Sequence, residues 1–346
     1  MSTWARPTLG LLAALLVLGA AAPLVLPDFA VSILTLVFIS ALLAASVNML
    51  TGQVGLVSLG HAGIAASAAY AVAWATVHGH GVLVQLGLAL ALTVAVSSVY
   101  ALTTMRSRGI VFLMITLALG MIVFGLAYRL ASVTGGQNGL TGIDRPAVLA
   151  GGDAFHAFSV AIFGLAVAAL WVVERSPFGL AMRGVRDSES RMASLGYSVP
   201  RIKFLAVMLS GLLAGASGVL AVWHAQFMSP AAATFGRSAL AVVMVILGGA
   251  GTLLGPLVGA AVVVGTEHWL SSYVERWPTL LGLAFILVVL FAPRGVLGAL
   301  SGLGGRSRAR ATEPIARPAR EHSPTALRSG DRQPLEQGGD NGQTAT

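Results

Sequence analysis

The sequence predicts an all-α, polytopic integral membrane helix bundle, and three observations carry that prediction. Of 346 residues, 56% are hydrophobic and only 10% charged, against roughly a quarter charged in a soluble domain. Of the 34 charged side chains, 12 (seven Arg and five acids) lie beyond Gly305, which leaves 22 for the first 305 residues. Uncharged runs recur through that stretch, and because a bilayer crossing takes roughly 20 apolar residues it holds on the order of ten spans. The chain therefore divides into a transmembrane domain over 1–305 and a tail over 306–346. The tail mixes Arg, Pro, Gly, Glu and Gln without apolar periodicity and is read as disordered.

The elements follow in order. The run 8–26 comes after Arg6 and contains Ala20, Ala21 and Ala22, so a cleaved signal peptide and a retained helix both fit. Its apolar core is long for a signal, and a retained helix is the reading adopted. The run 29–105 is cut at Thr51-Gly52-Gln53-Val54-Gly55 and at His78-Gly79-His80-Gly81, which makes three helices of it. One span each is expected over 109–128 and 154–173, with an outer loop over 131–153 between them. The run 204–236 crosses to about Trp223 and then turns polar at His224, Gln226, Ser229 and Pro230. The run 237–267 is broken by Gly248-Gly249-Ala250-Gly251-Thr252 and Gly255-Pro256 into two short pieces. A last run covers 278–293.

Parity decides how the broken run is counted. As two crossings or a re-entrant hairpin, it puts ten cations before the tail on one side (Arg6, Arg106, Arg108, Arg175, Arg183, Arg186, Arg191, Arg201, Lys203 and Arg294) and four, Arg129, Arg145, Arg237 and Arg276, on the other. The positive-inside rule makes the richer side cytoplasmic, so both termini are expected there. The net charge of +8 is thus an orientation signal. Nucleic-acid binding would need basic side chains gathered on a folded face with aromatics between them.

Several chemistries are excluded. With no Cys there is no disulfide, thiolate metal site or thiol nucleophile. No His and carboxylate spacing suits zinc, and no Gly-x-Ser-x-Gly elbow is present. A P-loop needs Lys after its glycine turn, and the single Lys, Lys203, follows Arg201 and Ile202. A pump or secondary transporter is expected to carry ionisable residues in mid-span. Glu267 and His268 come nearest, but beside Trp269 they read as outer-interface residues that snorkel or cap.

Glycine and polar clusters remain. Gly211 and Gly215 form a small-xxx-small face for close helix packing. Between Thr51 and Gly63 two roles fit. The segment either packs helices or unwinds to expose backbone groups along a solute path. Asn48, Gln53, Ser58 and His61 are the candidate path residues by their polarity within a breakable helix, while a lone His among small residues also reads as a helix-packing hydrogen bonder. The inner loop, 175–203, is the most specific feature. Ser176-Pro177 gives the N-cap and first position of a helix to about Asp187, Ser188 opens a second short helix ending at Gly196, and Ser198-Val199-Pro200 starts the next span. Two short Arg-rich helices between spans make a docking surface.

The chain resembles the permease subunits of branched-chain amino acid ABC importers, specifically the LivM-like member of the pair, from about 33 to 297. The resemblance rests on Asn48-Met49-Leu50-Thr51-Gly52-Gln53 with Ser58-Leu59-Gly60-His61-Ala62, on Arg108-Gly109-Ile110-Val111-Phe112 with Thr116-Leu117-Ala118, and on Thr134-Gly135-Gly136-Gln137-Asn138-Gly139-Leu140. Further on, Ser176-Pro177-Phe178-Gly179 with Arg183, Arg186, Leu195-Gly196-Tyr197 and Lys203, and the glycine turn 247–256, complete the ordered set.

The resemblance implies a heterodimer with a second, related permease, two cytoplasmic ATPases that bind the ATP, and a periplasmic or lipid-anchored binding protein, in the inner membrane of a bacterium. It implies a solute such as Leu, Ile or Val, with relatives moving urea, short amides or other amino acids, and no cofactor or enzymatic activity of the chain's own. Asp187 to Tyr197 would slot into an ATPase groove, with Arg186, Asp187, Arg191, Ala193, Leu195 and Gly196 as coupling residues. Such coupling helices often carry Glu-Ala-Ala before a spaced Gly. Here Met192-Ala193-Ser194 stands in that place. A secondary transporter independent of ATP is the alternative class.

Overall fold

The computed structural model describes residues 15–270, together with Gly10, Thr279 and Gly282. The domain limit at 305, the tail 306–346 and nearly all of the run 278–293 lie outside them.

Regular structure among the described residues is helical. An N-terminal helix α1, Leu15–Leu24, precedes α2, Asp28–Asn48, which Pro27 introduces and which carries Asp28 in its first turn, where an acid suits the helix dipole. Then follow α3 His61–Val77, α4 Val82–Thr104, α5 Gly109–Arg129, α6 Ala131–Thr134, α7 Gly152–Arg175, α8 Pro177–Asp187, α9 Glu189–Ser194, α10 Val199–Ala225, α11 Phe235–Gly248 and α12 Gly255–Leu270. By length and composition, five are apolar enough to cross a membrane: α2 with its continuation to Val54, α4, α5, α7 and α10.

The run 29–105 does form three helices, and its second break falls where Gly79 takes a φ of +73°. The first break differs in kind from the expected turn. Beyond Asn48 the helix continues as a π-helix, Met49–Val54, and stops at Gly55, whose φ of +77° is left-handed. The unwound piece is therefore 55–60. Threonine and glycine at 51 and 52 widen the helix instead of ending it.

The centre of the bundle is α3, whose alanine-rich surface is buried chiefly against α10, α4 and α5. Close approach is written into α10. A Cβ on Gly215 would stand 2.5 Å from the Thr93 side chain of α4, one on Gly211 would strike Ser97, and one on Gly218 would strike the backbone of Ala65 in α3. On the outside, α4 and α5 present Leu83, Leu90, Ile110, Met114 and Ile122, an apolar exterior of the kind that faces lipid.

The broken run 237–267 is a hairpin. Helices α11 and α12 pack along each other across a turn in which Gly249 and Gly251 have φ of +110° and +79°. The loop 131–153 is tied down at two points. Leu140 and Met228 exchange backbone hydrogen bonds of 2.7 and 3.0 Å. Arg145, whose guanidinium lies 4.4 Å from the Phe155 ring centre, donates to the carbonyls of Trp223 (2.7 Å) and His224 (3.1 Å) at the end of α10.

Gly218→Ala should force α3 and α10 apart and cost about 1–3 kcal/mol, read as a drop in the melting temperature of the purified protein. Gly87→Ala, at a helical position with nothing within 4 Å, should leave it level or raise it slightly.

Candidate functional site

The site grows from the break between α2 and α3. A chain that leaves the helical path inside an apolar bundle exposes peptide groups that must find partners within the protein. Leu59 N–H donates to Thr116 Oγ1 of α5 (3.2 Å), the Tyr100 hydroxyl of α4 donates to Gly60 O (3.2 Å), and Ala62 N–H donates to Ser238 Oγ of α11 (3.1 Å). Gly60 leaves no space, since a Cβ there would strike the Thr116 carbonyl and the Tyr100 ring.

Each of the four candidate path residues sits in this frame with its polar atoms engaged. Asn48 holds the α11–α12 turn from both sides of its amide, donating to Thr252 O (3.0 Å) and accepting from Gly251 N–H (2.8 Å). Gly52 lies against the same turn, 2.5 Å separating its missing Cβ from Gly251 Cα. Ser58 and His61 form a chain. Ser210 Oγ of α10 donates to Ser46 O (2.6 Å), so at 2.6 Å it accepts from His61 Nε2. His61 Nδ1 then accepts from Ser58 Oγ at 2.9 Å, which makes the imidazole a neutral Nε2–H tautomer with both nitrogens satisfied. Gln53 points the other way, donating to Glu174 Oε1 (2.8 Å) and accepting from Arg183 (3.3 Å).

Arg183 belongs to α8, so Gln53 joins the frame to the loop 175–203. A second bond does the same, Arg186 Nη1 to Gly52 O at 2.6 Å. The loop itself has the predicted form. Ser176 accepts from Gly179 N–H at the start of α8, and Ser188 accepts from Arg191 N–H at the start of α9. Met192 packs under α8 at Gly184. The six candidate coupling residues, Arg186, Asp187, Arg191, Ala193, Leu195 and Gly196, are all exposed, and Leu195 and Tyr197 present apolar surface at 67% and 52% exposure.

Sequence reasoning missed the anchor of α9. Lys203, 1% exposed, extends from α10 to Glu189 Oε1 (2.5 Å) and to Ser107 O (2.8 Å), while Arg108 Nε holds Glu189 Oε2 at 2.7 Å. One carboxylate thus ties α9 to α10 and to the α4–α5 connection. The signal in the sequence was the single lysine, which is a strange residue to bury unless a carboxylate meets it.

Beyond the frame, at the end remote from α8 and α9, lies a chamber of about 360 Å³. Its walls are α2 (Leu36, Ile39, Ser40, Leu43), α3 (Ala62, Ala65, Ala66, Ala69) and α10 (Ser217, Gly218, Ala221, Val222), closed by the 224–232 segment and Arg237. The four candidate path residues are not among its lining residues, although Ala62 follows His61 directly.

Residues 29–292 match the family described as branched-chain amino acid transport system, permease component. The chain is 30% identical over 315 aligned positions to the high-affinity branched-chain amino acid transport system permease protein LivM of Escherichia coli K12, covering 83% of this chain and 74% of that one. The Salmonella typhimurium LT2 protein of the same name aligns with the same figures. The autoinducer 2 import system permease protein LsrC of Klebsiella pneumoniae is 31% identical over 104 positions, 29% of this chain and 30% of that one. No solved structure matches at a significant level.

Lys203→Met should strand Glu189 with Arg108 alone and leave the Ser107 carbonyl without its donor. Breaking one partner of a buried pair costs on the order of 3 kcal/mol. Amide hydrogen exchange over α9 is expected to accelerate at least tenfold, with α3 unchanged.

Proposed function

The chain belongs to the branched-chain amino acid transport system permease family, and from that premise we propose that it is the membrane subunit of an ATP-driven importer carrying Leu, Ile or Val into a bacterial cell. It is a transport subunit and not an enzyme. Hydrolysis of ATP is assigned to two cytoplasmic partner ATPases, delivery of solute to an external binding protein, and the second half of the path to a related permease. About ten helices cross the inner membrane in this reading, with both termini and the tail 306–346 in the cytoplasm. The gathering of Arg108, Arg183, Arg186 and Lys203 around α8 and α9 supports that orientation.

The observation that carries the proposal is the double attachment of an exposed helical loop to the break in α2. An ATPase that displaces α8 and α9 pulls on Gly52 and Gln53 through Arg186 and Arg183. The π-helical turn there can take up a change of register at low cost, as such insertions do at functional sites. Asn48 passes the movement to the α11–α12 turn, and the Ser58–His61–Ser210 chain carries it to α10. In this scheme Asn48, Gln53, Ser58 and His61 serve the solute path by setting the position of its walls. Coupling of this kind needs a two-state element that both ends bias, and the segment 49–60 is that element here.

Deleting 187–196 should abolish ATP-coupled leucine uptake by the reconstituted complex while the spans still insert. Normal uptake by the deletion would sink the coupling role. Purification in mild detergent should bring an ATPase and a second permease with the chain. A chain that emerges alone and transports without ATP would establish the secondary-transporter class instead.

A further inference from the structure

Arg237 and Glu267 are among the charged side chains that take no part in the frame or its anchor. Arg237 stands in the first turn of α11 and Glu267 near the end of α12, and the hairpin brings both to its open end, away from the turn held by Asn48. They line a cleft of about 40 Å³ together with Leu36, Ser40 and Leu43. Arg237, Leu36, Ser40 and Leu43 also line the 360 Å³ chamber, so cleft and chamber share a wall. The Arg237 and Glu267 side chains are not paired with each other, and neither side chain makes a hydrogen bond or ion pair with another described residue.

Arg237 is exposed and Glu267 half-buried, and an ionisable group held against apolar walls, as both are in this cleft, is costly and marks function by default. Two of opposite sign, both with their bonding capacity open, meet at one small cleft in a region carrying 22 charges over 305 residues. The cleft exceeds the roughly 10–15 Å³ a water needs, yet is too small for a large side chain. The chamber beside it falls in the ordinary range for small-molecule sites, roughly 300–1,000 Å³, and its α3 wall is four alanines. The ionic ends of a solute are thus offered partners in the cleft and its aliphatic end a smooth wall in the chamber.

We propose that Arg237 and Glu267 read the zwitterion of the transported solute, the guanidinium taking its carboxylate and the Glu267 carboxylate its ammonium, with the aliphatic side chain among Ala62, Ala65, Ala66 and Ala69. This rests on the importer reading above and deepens it by naming the two side chains that select a free α-amino acid at the path. A urea, a short amide or an uncharged sugar-like solute would leave both ions unmatched. Arg suits the task because its planar fork binds a carboxylate through two parallel bonds, which Lys cannot reproduce.

The test uses the whole complex, with both permeases, ATPases and binding protein, in proteoliposomes. Uptake of radiolabelled leucine and ATP hydrolysis stimulated by the loaded binding protein are measured together. Arg237→Gln is expected to lower uptake about tenfold or more, Glu267→Gln severalfold, and Arg237→Lys to an intermediate level, all with the stimulated hydrolysis within twofold of wild type. Uptake unchanged in both neutral variants would overturn the proposal. So would a parallel loss of uptake and stimulation with the variant still assembled, which would make Arg237 a contact for the binding protein. A wild-type complex that moves no leucine with ATP would instead overturn the importer reading.

Discussion

The break between α2 and α3 frees backbone donors and acceptors in the middle of an apolar bundle, where no water can take them, and the surrounding helices are arranged around meeting that demand. Thr116, Tyr100 and Ser238 each come from a different helix, the first two bonding backbone groups of the segment and Ser238 the Ala62 N–H in the first turn of α3. Arg186 supplies a fourth bond, to Gly52. The glycines of α10 and the alanines of α3 follow from the same requirement. Polar side chains as short as Ser and Thr reach across only when helix axes lie close, and small residues permit that approach.

A consequence is that the part of the frame around Ser58, His61 and Ser210 is polar but not ionic. His61 is a neutral link between Ser58 and Ser210, and the ions are kept at the two ends, with Glu189, Lys203, Arg108, Arg183 and Arg186 around the loop 175–203 and Arg145, Arg237 and Glu267 at the other. Neutral hydrogen bonds can be exchanged during a helix shift without stranding a charge in a medium of low dielectric. A frame built of ion pairs would resist the movement proposed for it.

Much of this was legible in the sequence wherever a local rule applied. The three helices of 29–105, the hairpin of 237–267 and the starts of α8 and α9 at Ser176-Pro177 and Ser188 follow from glycine, capping and hydropathy signals a few residues wide. The glycine spacing of α10 likewise announced a close packing face. What stayed hidden are partnerships over long separations. Asn48 finds Thr252, Gln53 finds Glu174, and Lys203 finds both Ser107 and a carboxylate in the preceding short helix. Composition shows that these side chains are unusual for their surroundings, but a fold is needed to say what each one meets. The π-helical turn was missed for a related reason. Thr51-Gly52 looks like an end to a helix until Gly251 and Arg186 are seen to hold it open.

The burial of Lys203 also bears on how the protein can be handled chemically. It is the sole lysine of a chain that has no cysteine, and at 1% exposure its amine is closed to reagents while α9 stays docked. Amine-directed dyes and cross-linkers therefore find no lysine to modify on the folded surface, and a thiol placed at Leu195 would be unique without any background to remove. Reactivity at Lys203 becomes a report in itself, since an adduct there records that the short helix has come away from its seat.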